Sequence, residues 1–217
     1  MKFLIRPALY LLAFATAYYI TYLDALTGDY AEGYSTEVPQ EMMLLAVIVL
    51  HVLTGRRYPF ARQLNYLGAG FWLACLIREH NNQLSDLFFH SAWVVGVVPV
   101  LIATAIYGWR RRADILADYQ ALRNTFGFGV LTVGFVTLHL FSRLYGANDL
   151  WRATMGDDYL RVVARTSEEG IELLAYTIIL IGTVELVRTI ERVSRGQPDP
   201  GLAATERALA RKREVKK

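Results

Sequence analysis

The sequence predicts an all-α polytopic membrane helix bundle: six transmembrane helices, both termini in the cytoplasm, and short interfacial helices in the loops. Three observations carry that prediction. Apolar runs approaching the ~20 residues that cross a bilayer recur along the chain. Of its 217 residues 54% are hydrophobic, and the mean hydropathy is +0.27, which sets it apart from the soluble globular class. Its lysines and arginines fall on alternate connections. In hydrocarbon every backbone N–H and C=O needs a partner within the protein, so the runs must be helices, being too long and unbroken for barrel strands.

The first span is Phe3 to Leu23, preceded by Lys2 and Arg6. Ala15-Thr16-Ala17 imitates a cleavage site, but the apolar run continues through Tyr18 to Leu23, so a helix is expected. The second covers about Glu41 to Leu53 and the third about Leu64 to Ile77. The fourth, His90 to Trp109, contains Pro99, where a kink is expected. The fifth is Phe126 to Tyr145 and the sixth Gly170 to Val187. Gly127, Gly129 and Gly134 are read as positions of close helix packing. Arg110 to Asn124 places Ile115, Leu116, Tyr119 and Leu122 on one face with Asp114 and Asp118 opposite, the pattern of an interfacial helix. Residues 1–195 form the transmembrane domain, and 196–217 a basic cytoplasmic tail whose lysines and arginines suit anionic lipid.

Six spans divide the basic residues 18 to 5. Lys2, Arg6, Arg56, Arg57, Arg62, Arg110, Arg111, Arg112, Arg123 and the nine basic residues after the sixth span, from Arg188 to Lys217, lie on one side, which is therefore cytoplasmic. Arg78, Arg143, Arg152, Arg161 and Arg165 lie on the other. The expected location is a multi-pass protein of a bacterial inner membrane. Its partners are the lipid bilayer and other membrane protein subunits. With no nucleotide-binding loop and no aromatic-plus-basic pattern, nucleic acid is excluded as a partner. The single cysteine, Cys75, excludes an intrachain disulfide and a multi-cysteine metal site.

On this topology eight ionisable residues converge on the outer face. Glu79, His80, Asp86 and His90 occupy the third connection or its helix ends, His139 lies ahead of Arg143 on the fifth span, and Glu168, Glu169 and Glu172 open the sixth. His139 lies roughly 20 Å above the inner boundary, 13 residues from Phe126 at 1.5 Å each. Ionisable groups at that depth face a bundle interior or a wet cavity. His80, Asp86, His90, His139 and Glu172 are the candidate ligands of a divalent metal such as zinc, since imidazole and carboxylate hold Zn²⁺ at ~2.0–2.2 Å and an open position activates water. The competing reading is an acidic rim that pairs with Arg78, Arg143 and Arg165 and caps helix starts. Within it, Arg143 is expected to neutralise Glu172 and Glu168.

The set Ser85, Asp86, His80, His90 and His139 loosely resembles membrane hydrolases of the alkaline ceramidase type, and the resemblance implies zinc-dependent hydrolysis by Ser, Asp and His ligands. That family has seven helices and a His-x-x-x-His pair in the last, which the sixth span here lacks. A second cofactor reading rests on His51 and His139, two histidines at similar depth that could ligate a b-type haem. No CxxCH motif calls for covalent haem. The expected function is an accessory or structural membrane subunit. The alternatives are a metal-dependent membrane-embedded hydrolase and a haem-binding or transport protein.

Overall fold

Apolar stretches separated by arginine-rich or acidic breaks produce helices throughout. The structure, a computed structural model, describes residues 2–27, 34–80, 87, 89 and 91–197, and every regular element among them is helical. They are α1 (Lys2–Thr27), α2 (Tyr34–Arg57), a 3₁₀ turn (Pro59–Ala61), α3 (Arg62–Glu79), α4 (Trp93–Arg110), α5 (Arg112–Leu122) and α6 (Phe126–Val136). A π turn (Thr137–Phe141), α7 (Ser142–Gly146), α8 (Asn148–Met155), a second 3₁₀ turn (Gly156–Asp158) and α9 (Arg161–Ser194) complete the order.

Among the described residues five segments are long and apolar enough to cross a membrane: Leu4–Leu26, Thr36–Arg57, Trp93–Arg110, Phe126–Gly146 and Arg161–Ser194. The expected third span is helical as α3, but its 18 residues include Arg62, Arg78 and Glu79. Several helices outrun their apolar windows. α9 has 34 residues where Gly170 to Val187 was expected, because charged turns at both ends remain helical. Chain breaks have local causes. Pro59 disfavours helical backbone at the residue before it, and Tyr58 accordingly sits extended at φ −120°, ψ 96°, ending α2. Gly156 closes α8 at φ +60°, a region that favours glycine.

The chain divides into two compact units. The first comprises Met1–Met43 and Leu131–Ile181. Within it the early part of α9 is the common partner of three helices. Gly170 lies against the Thr21 methyl of α1, Gln40 of α2 reaches Glu169, and Gly134 of α6 lies against Ile178 and Ile179. Leu173, Ala175, Tyr176 and Ile179 are buried at these contacts.

The second unit comprises Leu44–Val130 and Gly182–Lys217. Here α3 is central. Leu67 meets Gly108, Gly70 meets Thr104 and Ile77 meets Gly96, so α3 and α4 run antiparallel at glycine-mediated distances along nearly their whole lengths. Trp72, Ala69, Ala74 and Val97 are buried in this unit. The short helix α5 exists where an interfacial helix was expected, but its faces are turned. Asp118 and Leu122 are buried, and Leu116 and Tyr119 are exposed. The reason is specific: the Asp118 carboxylate accepts from the backbone N–H groups of Gln63 and Leu64 at 2.9 and 3.1 Å, capping the start of α3.

Candidate functional site

In the first unit α6 delivers an arginine to α9 through an irregular turn. Thr137 to Phe141 wind as a π-helix, which shifts the register of Ser142 and Arg143 relative to a straight α-helix. The Arg143 guanidinium then spans two carboxylates one helical turn apart, with 2.9 Å to Glu168 and 2.5 Å to Glu172. The Glu172 side chain is 7% exposed and Arg143 51%, so the pair sits at the unit's edge with its acid inside. The expectation that Arg143 neutralises the start of the sixth span is met. Gly146 completes the arrangement, because any Cβ there would overlap the Glu168 carboxylate. Gln40 adds a contact that the sequence did not suggest, donating at 3.4 Å to both the backbone oxygen and Oε2 of Glu169.

His139 lies inside the π turn and is exposed. Its Nδ1 bonds to the Phe135 carbonyl at 3.0 Å, and its ring stacks on Phe135 at 4.3 Å. His80 caps the end of α3 in the second unit, with Nδ1 on the Leu76 carbonyl at 3.0 Å. Asp86 and His90 lie outside the described residues. Of the five candidate metal ligands, Glu172 is joined directly to Arg143, which a metal centre on that carboxylate would require at a distance. Among the described residues no group of three His, Cys, Asp or Glu side chains gathers closely enough to hold a metal ion.

The second unit contains a buried imidazole. His51, 4% exposed, projects from α2 with Nδ1 at 2.8 Å from Asn65 Oδ1. The partners assign the proton. Asn65 Nδ2 donates to the Ala61 carbonyl at 2.7 Å, which leaves Oδ1 as an acceptor, so His51 Nδ1 is the donor. In the neutral ring Nε2 is then a bare lone pair. It is buried and has no hydrogen-bond partner among the described residues. Gly68 makes room for the ring, since a Cβ there would come within 3.3 Å of it. His51 was a candidate haem ligand from the sequence; Asn65, which fixes its tautomer, was not singled out. The i, i+4 step from Ala61 to Asn65 and the apolar depth of His51 were the available signals, but no sequence spacing links α2 to α3. Deeper on α9, the buried Glu185 pairs with Arg188 at 2.7 Å.

Comparison of the chain with protein-family models, with curated proteins and with solved structures found no match.

Proposed function

We propose that the chain is a six-span protein of a bacterial inner membrane, with both termini cytoplasmic, that serves as an accessory structural subunit of a membrane assembly. The span added to the five apolar ones is α3, third in chain order. Its 18 residues rise roughly 27 Å, close to a ~30 Å hydrocarbon core, its charges stand at its ends, and it lies antiparallel along α4.

The single observation that carries the structural reading is the Arg143 centre. A buried acid is consumed by an internal ion pair, and one guanidinium fastens two helices through Glu168 and Glu172. Such a centre holds helices in place, whereas a reactive group keeps an open position. Around it, α1 exposes Leu4, Leu9, Leu11, Leu12 and Tyr18, an apolar surface suited to lipid or a neighbouring subunit. Gentle detergent extraction, native electrophoresis and metal analysis test the proposal together. The expected result is migration well above the 24.6 kDa chain, with metal below one ion per chain. Stoichiometric zinc that disappears in H80A or H139A would establish the hydrolase alternative instead.

One observation favours a second reading, a haem or metal protein. A metal-binding histidine has its other ring nitrogen held by an acceptor, as Asn65 holds His51 Nδ1, with Nε2 left to ligate. A haem absorption band that is lost in H51A would support it. A spectrum with protein absorption alone would leave His51 a structural residue.

A further inference from the structure

We infer that the arginine-rich end of the second unit is a binding surface for anionic phospholipid headgroups. The inference rests on the reading of the chain as a membrane protein and not on its being a subunit.

Three connections meet at this end. Asp118 ties α5 to the start of α3, and Tyr107 near the end of α4 donates to Gln63 Oε1. Arg62 Nε, donating at 3.2 Å to the Gly55 carbonyl, fastens the α2–α3 turn. The exposed arginines of these connections are therefore held by a common framework. They are Arg56, Arg57, Arg110, Arg112 and Arg123, and among the described residues none of them is paired with a carboxylate. The nearby acids are already occupied: Asp114 faces Arg111 at 3.6 Å, and Asp118 is the cap of α3. Two of the guanidiniums lie over aromatic rings, Arg112 over Trp109 at 5.0 Å and Arg57 over Tyr58 at 5.7 Å; Arg112 Nη1 also donates to the Trp109 carbonyl at 3.1 Å, and these contacts restrict the two groups while leaving their other N–H donors for a ligand.

The ligand must satisfy fixed, planar cationic donors, and phosphate oxygens match them. A phosphate carried on a lipid is favoured over a soluble anion by the apolar side chains set among the arginines. Trp109 is 72% exposed, Phe126 65% and Leu116 54%. Exposed aromatic and aliphatic groups beside cations are the pattern of a bilayer interface.

The test uses the purified full chain in zwitterionic micelles, titrated with phosphatidylglycerol, reading the thermal midpoint and the lipid retained in native mass spectra. Each arginine near an anionic surface is worth ~1 kcal/mol, so affinity is expected to fall about fivefold for each Arg→Gln change. The R56Q and R123Q single variants and an R56Q/R57Q/R110Q/R112Q variant should lose the response progressively, whereas R161Q, at the start of α9, should keep it. High salt should weaken binding by the wild type. The singles serve if the quadruple variant does not fold. Undiminished retention in the singles overturns the inference. So does an equal shift from inorganic phosphate, or from a water-soluble polyanion, in place of the lipid. Loss of a larger assembly in cell extracts would leave this result unaffected, which separates it from the subunit proposal.

Discussion

Removing Arg143 and removing Glu172 are unequal changes. R143Q strands a carboxylate that is 7% exposed, whereas E172Q leaves a half-exposed guanidinium that still has Glu168. R143Q is expected to cost about 2–3 kcal/mol, near the lower end for breaking a buried pair, and E172Q about 1 kcal/mol. Unfolding of the two variants in the same detergent checks the order, and equal losses would show that the pair carries no special burden. Asp118 makes a second prediction. Burial pushes its carboxyl above the ordinary 3.8, with Asp114 adding to the rise and the N–H donors of Leu64 and Gln63 opposing it. The folded protein thus holds this proton more tightly than the unfolded chain does. The contribution of the group is complete below pH 3.8 and is lost as pH rises through the raised value. D118N keeps an acceptor for α3 without that loss, so its advantage over wild type should widen as pH rises. D118A, lacking the cap, should be about 1 kcal/mol less stable than D118N at every pH. At this scale the Arg143 pairing was legible, because an arginine and a glutamate near the same depth have few alternatives to each other. The inward turn of Asp118 was not. Hydrophobic periodicity places a carboxylate toward water, and only the unsatisfied N–H groups of another helix reverse that.

The glycines of α6 looked equivalent in sequence and are unequal in the helix. A Cβ on Gly134 would lie 2.7 Å from Ile179 Cγ1 and 2.9 Å from its backbone nitrogen, and one on Gly127 would run into the Leu186 backbone. Gly129 has nothing within 4 Å. G127A and G134A should each destabilise by about 1–3 kcal/mol through overpacking. G129A should gain a few tenths to about 1 kcal/mol from helix propensity. Thermal midpoints of the three variants decide it, and a loss in G129A as large as the others would contradict this packing. Helix existence was readable from apolar runs throughout, while helix ends were not. α9 continues past its apolar window because pairs such as Glu191 with Arg195, 2.5 Å apart, support the polar turns. The π turn left no trace in composition, since it adds one residue to a turn and changes no residue type.

For the whole molecule the proposed topology makes its own prediction. Reporter fusions at Lys217 should be active only with cytoplasmic reporters, and fusions at Asp29 and Asp157 only with periplasmic ones. Periplasmic activity at the C-terminus would remove one span, with α3 the first to reconsider. The recurrent apolar runs made the membrane class legible, but α3 shows why the span count is harder. Three charges within 18 residues obscure a helix whose neighbour supplies much of its burial. α9 has one further consequence. Near its start Glu168 and Glu172 stand four residues apart, a rise of roughly 6 Å, and Arg143 bridges them at the edge of the first unit. With α9 read as a span, acyl chains that are too long are expected to draw this Arg143 bridge deeper into hydrocarbon and shorter chains to release it toward water, so the loss of stability in R143Q should depend on lipid length.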